Sequence, residues 1–84
     1  MPILSKFLGI IIKIFVKDHP PPHFHAKYAE YKCSVNIDNG EVIAGKMPPK
    51  QKKELKKWSK KNKKKLLKNW EEAQKGNPKL KEIK

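Results

Sequence analysis

The hydrophobic periodicity of this chain changes at Met47-Pro48-Pro49, and that change limits the folds it can adopt. Before this point apolar side chains alternate with polar ones, as in the run Tyr31, Cys33, Val35 and Ile37, and a period of two is typical of a half-buried strand. After it the residues of one face recur at three- and four-residue steps, the period of an amphipathic helix: Leu55, Trp58, Asn62, Leu66, Leu67, Trp70 and Ala73. The sequence therefore predicts an α+β protein with its strands first and its helices last.

Short turns divide the first half into an antiparallel meander of about four strands, which we predict over residues 7–45. Asp38-Asn39-Gly40 is a hairpin signal, because Asn-Gly tolerates the positive φ of primed turns, and Ala29-Glu30 lies where another tight turn is needed. The isoleucine-rich segment 7–17 is interpreted as one strand, with Gly9 as a bulge or bend. Its predicted inner face consists of Ile10, Ile12, Ile14 and Val16.

The second half predicts a helical region over residues 49–75 that packs on the sheet through its leucine and tryptophan stripe. It forms either one long helix or two short helices that meet near Asn62. Pro49 suits a first helical turn, and Gly76 followed by Pro78 is a stop signal. We therefore expect a single domain over residues 1–76 and a loose basic tail over residues 77–84.

Cysteine content and hydropathy restrict the compartment. The single cysteine, Cys33, excludes an internal disulfide framework and indicates a reducing environment. Its position among alternating apolar residues is typical of a small buried side chain. The longest apolar run, residues 7–16, contains Lys13 and is much shorter than the roughly 20 residues of a membrane-spanning helix. We expect a cytoplasmic protein without a membrane segment.

Charge is distributed unevenly along the chain, whose formal net charge is +13. Residues 1–45 carry five lysines and four acidic residues, whereas residues 46–84 carry sixteen lysines and four acidic residues. This asymmetry favours an acidic partner, either RNA, DNA or a protein. No arginine is present, and lysine lacks the planar fork that reads base edges, so we expect loose attraction to phosphates. A merely solvated helix surface is the alternative. The candidate nucleic-acid-binding residues are Lys53, Lys56, Lys57, Lys60, Lys64 and Lys68.

All three histidines lie within seven positions, in the segment Asp18-His19-Pro20-Pro21-Pro22-His23-Phe24-His25. His23 and His25 are two residues apart, so on a strand both side chains project from one face. The proline run is a rigid spacer that holds His19 at a fixed distance from them, and Asp18 adds a carboxylate. The segment is therefore the main candidate for chemistry.

Three interpretations of this cluster stay open. His19, His23 and His25 can bind a transition metal such as zinc, iron, nickel or copper, with or without Asp18. Alternatively the histidines act as acid and base on RNA while Lys27 offsets phosphate charge, which makes His19, His23, His25 and Lys27 the candidate catalytic residues. In the third interpretation the segment is a stiff loop whose side chains pack, hydrogen-bond or contact a partner protein.

The chain resembles a small bacterial family known as domain of unknown function 4160. The resemblance rests on His19-x-Pro21-Pro22-His23-Phe24-His25, Tyr28-Ala29-Glu30-Tyr31-Lys32, Gly40-Glu41-Val42 and Asn69-Trp70-Glu71, in order along nearly the whole chain. Members of that family often occur in gene pairs similar to toxin–antitoxin modules, which implies a small protein partner encoded by a neighbouring gene. The positions it implicates are His19, His23, Phe24, His25, Tyr31, Lys32 and Trp70, and we assign partner binding to Phe24, Tyr31 and Lys32. Ala29 stands where the family favours glycine.

Together these observations predict a component of a toxin–antitoxin-like module that binds a small protein and, through its lysine-rich helical face, nucleic acid. The alternative is a small RNA-cleaving or metal-dependent enzyme centred on His19, His23 and His25. The sequence leaves the oligomeric state open.

Overall fold

Period-two alternation in the first half of the chain forms five strands, and the helical period of the second half forms two helices. The computed structural model describes residues 3–15 and 17–76, so Val16 of the predicted inner face and the predicted tail 77–84 lie outside the described residues. The elements, in chain order, are β1 (Ile3–Phe7), β2 (Ile10–Lys13), β3 (His23–Tyr28), β4 (Tyr31–Asn36), β5 (Val42–Gly45), α1 (Pro49–Lys61) and α2 (Lys63–Gln74).

The strands pair antiparallel in the order β1-β2-β3-β4-β5, which confirms the α+β meander. The count is five instead of about four because the chain turns at Leu8-Gly9, so that residues 3–7, before the predicted start of the strands at residue 7, form an additional strand. Leu8 and Gly9 have φ values of +50° and +76°, and Phe7 pairs with Ile10, as in a two-residue hairpin. Leucine is not a turn-forming residue, so the continuous apolar run concealed this turn.

The two predicted turns are present. Tyr28 pairs with Tyr31 across the Ala29-Glu30 turn, where Ala29 adopts a φ of +52°. At the Asp38-Asn39-Gly40 turn, Gly40 has a φ of +72° and donates its N–H to the Asn36 carbonyl. Both hairpins therefore have the register that their turn residues allow.

The core lies between one face of the sheet and the two helices. Strands β2, β3 and β4 supply its floor through a set of buried side chains: Ile10, Ile12, Phe24, Ala26, Cys33 and Val35. The helices supply its cover through Leu55, Leu66, Trp70 and Ala73. Burial of this apolar surface, at about 25 cal/mol per Å², is the main term that holds the helices on the sheet.

The predicted helix break occurs at Asn62, so the helical region is two short helices. The Asn62 side chain donates from Nδ2 to the Trp58 carbonyl at 3.0 Å, and its φ and ψ of −110° and 18° interrupt the helical path. Neither helix, among the described residues, has the length and apolar character needed to cross a membrane.

Gly45 ends β5 in a position that only glycine can occupy. Its φ is +81°, and a Cβ atom there would overlap backbone atoms of Lys32 and Cys33, since it would lie only 2.9 Å from the Cα of Cys33. The neighbouring β4–β5 pairing carries a register shift between Ser34 and Val35. The close approach of the two backbones therefore depends on the missing side chain.

We expect Gly45→Ala to destabilise the protein by more than the roughly 1–2 kcal/mol that left-handed backbone alone costs a residue with a Cβ, because the backbone must also move. Gly9→Ala is the matched control: its φ is also positive, but the added Cβ meets only the Tyr28 ring, which can shift. Urea denaturation measures both. An equal loss of unfolding free energy in the two variants would contradict the steric explanation.

Candidate functional site at Asp18

The segment that precedes β3 is held by the end of α2. The Lys17 N–H donates to the Ala73 carbonyl at 3.0 Å, and the Gln74 side-chain amide donates to the Asp18 carbonyl at 2.8 Å. Lys17 adopts a φ of +55°, a conformation that costs a lysine free energy and persists where surrounding contacts fix it. These bonds fix the backbone from which the Asp18 side chain projects.

All three histidines converge on the Asp18 carboxylate. Oδ2 lies 3.0 Å from Nε2 of His23 and 3.0 Å from Nε2 of His25, while Oδ1 lies 3.1 Å from Nδ1 of His19. The His19 backbone N–H also donates to Oδ1 at 2.9 Å. Asp18, which the sequence suggested only as an accessory to the histidines, is therefore the centre of the cluster.

The environment of Asp18 favours its charged form. Burial by itself raises the pKa of this carboxyl. The hydrogen bond with His25, the His19 backbone N–H and the charges of His23 and His25 lower it by more than burial raises it, so the net pKa lies below the ordinary value. At neutral pH the cluster thus contains a carboxylate whose side chain is only 14% exposed.

The other ring nitrogens of His23 and His25 have partners of their own. His23 Nδ1 lies 2.7 Å from the Pro21 carbonyl, which can only accept, so this nitrogen carries a hydrogen. His25 Nδ1 lies 3.3 Å from the Ser34 hydroxyl. Both rings are also packed: His25 stacks on Phe15 with centroids 4.0 Å apart, and the His23 ring lies 5.2 Å from Trp70. Two imidazoles are thereby held with Nε2 directed at one carboxylate oxygen.

The three histidines differ in access. The His23 side chain is 4% exposed, that of His25 is 27% exposed, and that of His19 is 84% exposed. The ligand atoms of Asp18, His23 and His25 lie within 4.8 Å of one another, so these three residues could hold a metal ion. His19 lies outside this set, on the opposite carboxylate oxygen.

The face of the sheet opposite the helices carries a groove of about 540 Å³ beside His25. Cross-strand pairing places Lys13 and Ser34 on either side of His25, and Lys27 directly opposite Lys32. Like charges in a directly opposed pair destabilise a sheet, so Lys27 and Lys32 create a local positive potential at some cost. Lys27 thus lies in the groove but not in the Asp18 cluster.

The predicted partner-binding residues occupy different environments. Phe24 is fully buried, with its ring 5.6 Å from that of Trp58, so core packing accounts for it and it offers no surface to a partner in this fold. Tyr31 is 38% exposed and Lys32 is exposed at the groove. Trp70 is buried against His23 and belongs to the wall of the site.

The candidate nucleic-acid-binding lysines lie on the outer surfaces of the two helices. Lys53, Lys57, Lys60, Lys64 and Lys68 are exposed and form no ion pair within the described part of the chain. Lys56 is half-buried and paired with Glu41, whose pKa is lowered first by the hydrogen bond and then by the charge of that lysine. Charge attraction and the histidine chemistry thus involve different side chains.

Comparison with known proteins identifies a family for this chain. The family model for Domain of unknown function (DUF4160) matches residues 9–71. The chain belongs to the DUF4160 family. No significant match was found among curated proteins or among solved structures.

The DUF4160 match includes Asp18, the three histidines and Trp70, but it begins after β1 and ends before Gln74. In this DUF4160 protein, β1 and Gln74, whose side chain donates to the Asp18 carbonyl, therefore lie outside the matched segment.

Sequence reasoning missed Ser34 and Gln74 as supports of the site. Ser34 had a signal: a two-residue turn at Ala29-Glu30 pairs Tyr28 with Tyr31, and the same register places Ser34 opposite His25. Gln74 had none, because its contact with Asp18 spans 56 positions and depends on how α2 packs.

The lowered pKa of Asp18 predicts a specific pH dependence. A carboxyl whose folded-state pKa is depressed stabilises the fold fully above its unfolded pKa, near about 3.9, and loses that contribution as the pH falls towards the folded value. The difference in unfolding free energy between the native protein and Asp18→Asn should therefore be larger at pH 6 than at pH values below about 4. Glu30→Gln, at an exposed turn, is the control, and urea titrations supply the measurement. A difference independent of pH would refute this role of the carboxylate.

Proposed function

We propose that this protein is the nucleic-acid-binding member of a two-protein, toxin–antitoxin-like module and binds phosphates through the outer lysines of α1 and α2. The observation that carries the proposal is the exposure of five lysines that form no ion pair among the described residues: Lys53, Lys57, Lys60, Lys64 and Lys68. A surface of this kind attracts a polyanion by releasing its condensed counterions.

The arrangement of these lysines costs helix stability, which supports a role outside folding. Lys53 and Lys57 are spaced i,i+4, as are Lys64 and Lys68, and like charges at that spacing destabilise a helix by roughly 0.2–0.5 kcal/mol per pair. Neither helix has an acidic residue in its first turn, and α2 begins with Lys63-Lys64-Lys65 at the positive end of its dipole. A bound phosphate backbone would offset each of these repulsions.

Lysine also determines the kind of recognition. An ammonium group is a point charge that contacts phosphate without the bidentate geometry that identifies guanine. The proposal is therefore sequence-independent binding of RNA or DNA, with selectivity supplied by the protein partner or by the histidine site.

The salt dependence of binding tests the lysine surface. For a fluorescent single-stranded RNA, Lys53→Gln combined with Lys57→Gln should reduce the slope of log K against log[salt] by about 1.4, since each lost phosphate contact on a single strand accounts for about 0.7. Lys6→Gln combined with Lys46→Gln makes the same charge change on exposed residues of the strand region and should alter the slope much less. Equal slopes in the two double variants, or a flat salt response, would contradict the proposal.

The partner half of the proposal is supported by the edge strand β5. It pairs with β4 on one side, and Ile43 at its centre is 47% exposed. Tyr31 and Val42 line a second groove beside this edge, next to Met47. An extended segment of a small protein could add to such an edge by main-chain hydrogen bonds and place an apolar side chain against Ile43.

Co-purification with the product of the neighbouring gene tests this edge. Ile43→Lys should weaken the complex strongly, because it places a charge in an apolar contact, whereas Leu8→Lys, at another exposed apolar position, on the first hairpin, should not. If both variants retain the partner at native affinity, β5 is not the interface.

A second candidate function is metal-independent RNA cleavage, favoured by the position of His25 beside the groove that Lys13, Lys27 and Lys32 surround. There, one histidine would take the 2′-hydroxyl proton, a second would protonate the leaving 5′-oxygen, and Lys27 would offset phosphate charge. Cleavage of RNA in EDTA should fall by about 10²–10⁴-fold in His25→Ala. Unchanged cleavage in His25→Ala would remove His25 from this role, and His19→Ala shows whether the exposed His19 is the second histidine.

A further inference from the structure

We propose that Asp18, His23 and His25 form a binding site for one divalent first-row transition metal ion, with Oδ2 and the two Nε2 atoms as ligands. The inference is independent of the lysine surface. It is an alternative to metal-independent cleavage, because the Nε2 atom of His25 cannot hold a metal ion and transfer a proton at the same time.

The distances between the ligand atoms fit a metal site. Each Nε2 lies 3.0 Å from Asp18 Oδ2, and all three atoms lie within 4.8 Å of one another. Ligands bound at about 2.0–2.2 Å and at right angles around an ion lie about 3 Å apart. The two O–N separations of 3.0 Å match this spacing, and a bound ion would draw the two Nε2 atoms together from a separation of up to 4.8 Å.

The outer nitrogens of both rings are arranged as they are in metal-binding histidines. In such a histidine the second ring nitrogen usually forms a hydrogen bond with a carbonyl, a carboxylate or another polar group. This bond fixes the tautomer and leaves the first nitrogen for the metal. His23 does this through the Pro21 carbonyl at 2.7 Å, and His25 has the Ser34 hydroxyl at 3.3 Å. The same nitrogen, Nε2, is thus available on both rings.

The His23 contact with Asp18 needs a cation. Since Nδ1 of His23 carries a hydrogen, neutral His23 directs a lone pair from Nε2 at a carboxylate oxygen 3.0 Å away. Either a second proton on the ring or a metal ion relieves this repulsion. A proton serves one contact, whereas a metal ion satisfies Asp18, His23 and His25 together.

Two imidazoles and one carboxylate select the class of ion. This set suits Zn²⁺, Fe²⁺ or Co²⁺, and it leaves coordination positions for water or another ligand. Hard ions such as Mg²⁺ and Ca²⁺ prefer oxygen ligands and should bind weakly. The side chain of His25 is 27% exposed, which gives an ion a route from solvent. The exposed His19 ring contacts the other carboxylate oxygen, Oδ1, and leaves Oδ2 for the ion.

Calorimetry with tag-free protein and Zn²⁺ tests the site. We expect one equivalent to bind, His25→Ala and Asp18→Asn to weaken binding by more than about 100-fold, and Ser34→Ala to weaken it by about 10-fold, as for the loss of an outer-shell support. His19→Ala removes an 84% exposed ring but keeps the backbone N–H that donates to Oδ1, so it should weaken binding less than Ser34→Ala does. Circular dichroism establishes that each variant is folded.

A second readout uses Trp70, whose ring lies 5.2 Å from that of His23. Co²⁺ should quench the fluorescence of the native protein with the same one-to-one stoichiometry, and Trp70→Phe should remove most of the quenching while Co²⁺ absorption still reports binding. No saturable Zn²⁺ binding tighter than about 1 mM would overturn the proposal. An effect of His19→Ala equal to that of His25→Ala would overturn the three-residue assignment.

These outcomes are separable from the nucleic-acid proposal. Zn²⁺ binding is measured without RNA, and the lysine variants leave every proposed ligand in place. Loss of the salt-dependent RNA interaction with intact metal binding, or the reverse, therefore identifies which of the two inferences fails.

Discussion

The ring of Trp58 lies 5.2 Å from that of Phe7 on β1 and 5.6 Å from that of Phe24 on β3. Through this contact and its neighbours Leu55 and Leu66, the helical pair covers one face of the meander. Because that face is closed, the opposite face carries the open groove, and the lysines of the helices point outward. The positions of both candidate surfaces, the groove beside His25 and the lysine surface, thus follow from which face of the sheet the helices cover.

The same packing completes the histidine site. When α2 lies on the sheet, its last turn reaches the segment before β3 and donates from Gln74 to the Asp18 carbonyl, while Trp70 closes against His23. A carboxylate and two imidazoles are then held partly out of water, where their mutual attraction is stronger than at an open surface. The histidine site therefore depends on the packing of the hydrophobic core, although the polar atoms of the site are not part of that core.

The lysine surface has the opposite character. Its charges are solvated and repel one another along each helix, so they add little to the fold and can be changed with small effects on stability. The Asp18 cluster is structurally coupled to the core, whereas the lysines are not. This separation lets electrostatic attraction of a polyanion and chemistry at the histidines vary independently.

The sequence by itself determined the local features of this protein. Alternation identified β3 and β4, and the Asn39-Gly40 pair identified a hairpin. The 3.6-residue period identified the helical region and gave Asn62 as the place where it could divide into two helices. These signals are local, because they depend on backbone preference and on the direction of neighbouring side chains. The turn at Leu8-Gly9 escaped because its first residue has no turn propensity.

Only the tertiary structure decided what the histidine segment forms. The sequence placed His23 and His25 on one strand face and grouped them with His19, but strand geometry could not indicate that Asp18 would stand between them or that His19 would be left at the surface. Those facts depend on the packing of α2, which begins 45 positions after Asp18. The chain specified which groups are available, and burial of its apolar face specified which of them meet.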